Sequence, residues 1–357
     1  MFLMIFQLSC SDHSEEKQSL NLLGEVSFPV GFVTGKIKPF IIEQNEYVTF
    51  ADLTSRRLIK VFNTEGKEVS DIHLGDFIEK YGKISDFHLV SLDSIFLLTK
   101  YTNHIYLLNL ETDEFIQKDY SRLLSDGIEL SGPLNFVGNK VYCTIDYNPP
   151  FESEILNLDQ FLEANEEILR RSILFVDTAP RKSEISYNVE LDSVYLRFAD
   201  PMMIYVEGNH ILCTDEVIIF YSSYSDSLYI YTADYELARV VGVESEFSDA
   251  KVKPVSVKEF MSNNNLVSKN FLDNGFIQDI EYDPYRNIYY CIIRHPAPRE
   301  HRPFSILVLS EDFSKLYESE MDEEKYNTGI FVGSKGLYLS TSSYENGLHT
   351  FHIFTYE

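Results

Sequence analysis

The chain has 357 residues, 44% of them hydrophobic, which is enough apolar material for a large core. Its 56 acidic against 30 basic side chains give a formal charge of −26, a field that repels polyanions and sets nucleic acid aside as a partner. The 26 Phe and 24 Tyr, with no Trp, sit in short runs with Val, Ile and Leu rather than at helical spacing, the composition of strands.

At the N-terminus an apolar run, Phe2, Leu3, Met4, Ile5 and Phe6, leads to Leu8, Ser9 and Cys10, followed by the polar stretch Ser11 to Glu16. This resembles the end of a bacterial lipoprotein signal, in which the Cys is acylated and becomes the mature N-terminus. The basic start is missing and the apolar region is short, so the true signal is expected to begin upstream. The alternative is a frayed apolar end beside an incidental Cys. The acidic residues after Cys10 also resemble the signal that carries some Bacteroidota lipoproteins to the outer surface. Residues 1–21 are therefore read as a truncated signal and linker, and 22–357 as one domain.

From there one pattern recurs: two apolar strands with a polar break, a loop, then an apolar strand ending in Asn, Asp, Ser or Thr. The last strand is the ruler. It reads Ile59 to Asn63, Ile105 to Asn109, Ile173 to Asp177, Leu228 to Thr232, Ile306 to Ser310 and Phe351 to Thr355. The starts are 46, 68, 55, 78 and 45 residues apart, and the shortest intervals match one blade of a β-propeller. Six blades are expected, with a short helical insertion in blade three over Phe151 to Arg171, where Ile155, Leu158, Leu162 and Leu169 have helical spacing. A second insertion, Lys251 to Asn274, is polar. The chain ends on a third strand, so Leu22 to Val30 is expected to return and complete the last blade. A β-sandwich with irregular loops is the competing architecture.

Cys143, Cys213 and Cys291 lie in separate strand-like runs without a Cys-x-x-Cys pair, the pattern of buried thiols rather than ligands. Loops joining strands two and three share a face with the blade-to-blade links, so both insertions fall on one face. That face also receives Tyr101, Tyr147, Tyr224, His295 and Tyr344, aromatic or imidazole groups suited to a sugar ring or a peptide side chain. A composition this rich in Tyr scatters loop tyrosines without any ligand. The loop Arg294 to Pro303 is basic in an acidic chain. Its Arg294, Arg299 and Arg302 can hold a carboxylate or sulfate, or simply neutralise nearby acids, and His301 lies between the last two. Asp279, Glu281 and Asp283 alternate along a strand and offer carboxylates to calcium, while Asp283–Pro284 equally marks a turn. No other cofactor is indicated, and no metal site or catalytic residue is assigned.

With the six repeats and the Cys10 signal in place, the chain resembles the six-bladed TolB-like or NHL-like propeller lipoproteins of Bacteroidota. The stretch Asp279 to Tyr290 is the most family-like. The resemblance implies a fold and an address, and transfers no functional residue. The sequence lacks Gly-x-Ser-x-Gly, His-Glu-x-x-His, P-loop and EF-hand motifs, which weakens an enzyme reading without excluding it.

The leading expectation is a monomeric binding or scaffold module of the cell envelope, lipid-anchored at the outer membrane on its periplasmic or outer side. Its partner is a protein, a peptide or a glycan. The alternative is a propeller lyase or hydrolase for a glycan or lactone, with His295 or His301 as general base.

Overall fold

The computed structural model describes residues 19–120, 128–137, 140–147, 173–177, 203–204, 209–233, 236–248, 252, 255–256, 263, 265–297, 303–345 and 347–357. Its sheets follow the chain. β2 to β5 (Lys36–Ile42, Asn45–Asp52, Leu58–Asn63, Glu68–His73) form the first four-stranded antiparallel blade, and β6 to β9 (Ile84–Ser91, Ser94–Thr99, His104–Asn109, Phe115–Asp119) the second. β10 to β12 (Ile128–Val137, Lys140–Tyr147, Ile173–Asp177) make a three-stranded sheet. β13 (Met203–Ile204) pairs only with β18 (Val255–Ser256).

Two further four-stranded blades follow. They are β14 to β17 (Asn209–Cys213, Val217–Ser222, Ser227–Thr232, Leu237–Gly242) and β19 to β22 (Phe276–Asp283, Ile288–Arg294, Phe304–Ser310, Lys315–Met321). The last blade is β23 to β25 (Tyr326–Gly333, Gly336–Glu345, Leu348–Tyr356) completed by β1 (Leu20–Phe28).

The architecture is thus an all-β propeller, but the expectation of six blades needs correction. Five blades are four-stranded, and the third repeat supplies three strands among the described residues. That sheet packs through β10 against β6 on one side and β14 on the other. The first and last blades meet through β2 and β23, which closes the ring. Helix α1 (Gly75–Tyr81) links the first two blades, and α2 (Asn265–Asp273) lies in the second expected insertion. The helical insertion proposed for Phe151 to Arg171 lies outside the described residues, as do Cys10, Arg299, His301 and Arg302. No described helix is long and apolar enough to cross a membrane.

Burial explains the strand sequences. Each blade is sandwiched between two neighbours, so its second strand is apolar on both faces: β7 reads Ser-Ile-Phe-Leu-Leu-Thr, and six of the seven residues of β20 are buried. Outermost strands such as β17 are mostly exposed. The polar residue that ends the third strand closes the following turn. Asn63 Oδ1 accepts from the Glu65 and Lys67 amides at 3.1 and 2.9 Å, and Asn109 Oδ1 from those of Glu111 and Thr112 at 2.9 and 3.0 Å. The Thr232 and Ser310 hydroxyls accept likewise from the Glu236 and Ser314 amides.

Closure rests on β1, which runs antiparallel to β25 with Leu20 opposite Tyr356 and Phe28 opposite His349. Phe28 has no exposed surface, and its ring lies 5.0–6.3 Å from those of Phe50, Phe62, Phe331 and Phe351. One residue at the end of β1 thus joins the cores of the first and last blades.

Candidate functional site

The innermost strands bring charged side chains together, which an apolar core does not do without partners. Asp86 on β6 is fully buried and accepts from Lys36 Nζ at 2.8 Å and Lys38 Nζ at 2.7 Å, both from β2, and from the Leu134 amide of β10 at 2.6 Å. Lys38 spends its other donors on the Phe87 and Leu134 carbonyls. Gly132 is pressed against this carboxylate, since a Cβ there would lie 2.9 Å from Asp86 Oδ2. Burial opposes the charge on Asp86, yet Lys38 and Lys36 outweigh it and hold its carboxyl well below the usual range. Burial lowers Lys38 despite the Asp86 charge. The neighbouring His88 is pushed down to about 3 by burial and by Lys38, so it is neutral at physiological pH.

Across the channel, β19 carries Asp279 and Glu281. Asp279 accepts from the Tyr221 hydroxyl at 3.0 Å, and Tyr221 stacks on His210 with ring centroids 5.1 Å apart. Among the described residues Glu281 has no hydrogen bond or ion pair, and the charges of Asp279 and Lys38 act on it from a distance. Both carboxyls are only partly accessible and lie deep among protein atoms. Burial pushes Asp279 up to about 6 and raises Glu281 well above its ordinary value, with the Asp279 charge adding to the latter.

An acid whose pKa rises on folding contributes stability that is complete below the unfolded value, near 4 for these groups, and is lost as pH climbs through the folded value. Urea unfolding between pH 4 and 8 is therefore expected to show a falling stability, with a flatter slope for the Asp279→Asn/Glu281→Gln variant. An unchanged slope would contradict the assignment.

Glu281 and His88 face a cavity of about 440 Å³ at one mouth of the channel, walled by Pro39, Phe40, Ile41, Tyr47, Leu89, Val90, Tyr282, Pro284, Tyr285 and Val332. Beside it lies an open groove of about 770 Å³, and the two share Glu46, Tyr47, Thr64 and Tyr285. Glu46 ties three blades together here. Its oxygens accept from the Ser334 amide and hydroxyl, each at 2.7 Å, and from the Tyr285 hydroxyl. Asp283 fixes the neighbouring turn, accepting from the Tyr285 and Arg286 amides at 3.0 and 3.1 Å and pairing with the Arg286 guanidinium at 3.0 Å. Arg286 in turn reaches Thr355 and Ser334 of the last blade.

The turn that presents Glu46 is strained. The two-residue link between β2 and β3 places Glu43 and Gln44 at φ 50° and 69°, a conformation that favours Asn and Gly. Glu43→Asn/Gln44→Gly is expected to raise stability by about 1–2 kcal/mol, read as a higher urea midpoint.

This mouth is built from turns joining strands one to two and three to four, at the opposite end of the ring from the loops singled out in the sequence. Of those, Tyr101 is 62% exposed with Lys100 over its ring. Tyr224 is buried and packs edge-on against Phe271 of α2. Arg294 bonds Gln278 and Thr328 and lies over Phe304. His295 is buried, stacks on Phe247 and shares a hydrogen bond with Ser305 Oγ at 3.1 Å. Tyr147 and Tyr344 fall on β11 and β24.

Asp279, Glu281 and Asp283 keep their alternation along β19, but each has its own surroundings: Asp279 takes the Tyr221 hydroxyl, Glu281 lines the cavity, and Asp283 closes the turn to Tyr285 and Arg286. Among the described residues no three His, Cys, Asp or Glu side chains converge to hold a metal ion. Among the described residues Cys143, Cys213 and Cys291 form no disulfide, and burial raises the thiols of the last two.

No family model and no curated protein matches the chain. Among solved structures it is similar to a member of the DUF4221 family from Bacteroides vulgatus, with a TM-score of 0.71 at 17% identity over 95% of this chain and 98% of that one. It is also similar to a putative exported protein from Bacteroides fragilis, with a TM-score of 0.53 at 11% identity over 95% of each chain. At these identities the likeness concerns the fold alone.

Proposed function

We propose that this chain is a binding module of the cell envelope, and that its ligand or partner is engaged at the channel mouth formed by β2, β6, β19 and β23. One observation carries the proposal: four blades converge there on an aromatic-walled cavity lined by Glu281, a deeply set carboxyl without a hydrogen-bond partner among the described residues. Concave, mostly apolar sites with a few placed polar groups are where ligands bind. Anchoring through a lipid on Cys10 completes the proposal, supported by the apolar run before it and the polar stretch after it.

A thermal-shift panel of glycans, peptides and small ions tests the binding half. A true ligand at 100 times its Kd stabilises the fold by about 2.7 kcal/mol. That gain should vanish in Tyr47→Ala, whereas a gain indifferent to Tyr47→Ala places the site elsewhere. Radiolabelled palmitate incorporated by wild type and not by Cys10→Ala tests the anchor.

A further inference from the structure

The chemistry of the channel mouth specifies its ligand more narrowly than the binding reading on which this inference rests. Two carboxyl groups, Glu46 and Glu281, and three tyrosines, Tyr47, Tyr282 and Tyr285, line the cavity, and no Lys or Arg does. Lys38, whose charge reaches Glu281, turns its ammonium into the Asp86 carboxylate and two backbone carbonyls. Glu46 is already occupied by Ser334 and Tyr285, which leaves Glu281 as the acceptor without a partner. A carboxyl among aromatic rings in a chain of charge −26 is the setting in which a cation gains from ring quadrupoles and from the long-range field together. We propose that this cavity binds an alkylammonium group, with the Glu281 carboxylate as counter-ion and Tyr47, Tyr282 and Tyr285 as its walls.

The site has a built-in signature. Burial keeps Glu281 protonated in the free protein well above the ordinary carboxylate range, and an entering ammonium favours its ionised form. Binding therefore releases a proton, and affinity rises with pH by up to tenfold per unit while the free protein still holds that proton. His88, already neutral, contributes no competing titration over this range. Asp279 shares the strand and titrates nearby, so its variant serves as a control.

The test is isothermal titration of the full chain with cadaverine, Nα-acetyl-lysine amide, 1,5-pentanediol and glutarate at pH 6, 7 and 8. Cadaverine or the lysine amide is expected to bind, with pentanediol and glutarate inert. Glu281→Gln, close in shape to the protonated acid and checked for fold by circular dichroism, should weaken amine binding at least tenfold and abolish its pH dependence. Asp279→Asn should retain the amine binding and a pH dependence, the latter moved to lower pH because the Asp279 charge no longer helps to raise Glu281. Preference for the lysine amide over cadaverine points to a peptide side chain as the source of the ammonium, and the reverse to a free amine.

Equal binding of pentanediol, or amine binding untouched by Glu281→Gln, overturns the proposal. If amines fail while a neutral or anionic ligand binds in a Tyr47-dependent way, the ammonium assignment falls and the binding site stands. If nothing binds in a Tyr47-dependent way, both fall.

Discussion

Phe28→Ala is expected to lower the unfolding free energy by about 3–5 kcal/mol, the cost of emptying a fully buried aromatic position. The figure belongs at the upper end because the cavity would open where two blades meet. Phe28 touches Phe50 and Phe62 of the first blade and Phe331 and Phe351 of the last. Collapse around the gap would need both blades to shift. Removing residues 1–28 altogether strips the fourth strand from the last blade and leaves β25 with an unpaired edge. Such an edge pairs with other chains, so the truncated protein should aggregate rather than fold as a soluble monomer. Urea unfolding of the point variant and size-exclusion chromatography of the truncation check these outcomes. A soluble, cooperative truncation would show that closure does not depend on β1.

The second large effect falls on Asp86. Replacing it with Ala leaves the Lys38 and Lys36 ammonium groups and the Leu134 amide without their shared acceptor. Breaking a buried pair from one side costs about 3–5 kcal/mol, much of it the desolvation of the charges left behind. Lys36 is 36% exposed and recovers some hydration, while Lys38, at 18%, recovers less. The double variant Asp86→Leu/Lys38→Met is accordingly expected to be more stable than Asp86→Ala alone, since it removes the stranded charge as well as the acceptor. In wild type the contribution of Asp86 is present above its unfolded pKa, near 4, and is lost only as pH falls through a much lower folded value. Acid unfolding of wild type should therefore be late, and that of Asp86→Asn early. Equal acid midpoints would mean that the three-blade knot contributes nothing.

Much of the fold could be read in the sequence because its signals are local. The six strands used as a ruler, beginning at Ile59, Ile105, Ile173, Leu228, Ile306 and Phe351, all lie in third strands of their sheets. A strand buried on both faces must be apolar throughout, and the turn after it needs a short polar side chain to receive its free amides. Asn63, Asn109, Thr232 and Ser310 do this within four residues of themselves. The return of the N-terminal segment onto β25 was likewise legible, since a sheet ending on its third strand leaves one place to fill.

Helix α1 left no such mark. Its N-cap is Leu74, which offers no side-chain hydrogen bond, and the helix is held instead by the burial of Phe77 and Ile78. The number of complete blades was also misjudged, because matching third strands says nothing about whether a fourth follows.

The channel mouth was hidden for a different reason. Lys38, Asp86 and Glu281 sit in three blades, and the last is nearly two hundred residues from the second. Nothing in the spacing of one strand shows what the innermost strand of another will place opposite it. Asp279, Glu281 and Asp283 were noticed for their alternation, yet their separate roles come from Tyr221, from the cavity and from Arg286. The insertion-bearing face stands out in a sequence because long loops are visible there. The opposite face is made of short turns whose importance lies in what they converge on.

Amide hydrogen exchange of the full chain, with and without the first ligand identified by the thermal-shift panel, tests the location of the site most directly. A site at this mouth predicts slowed exchange in residues 43–47, 64–67, 88–92 and 281–287, the turns around the Glu281 cavity. Protection confined to residues 100–103, 223–226 and α2, at the other end of the ring, would contradict it.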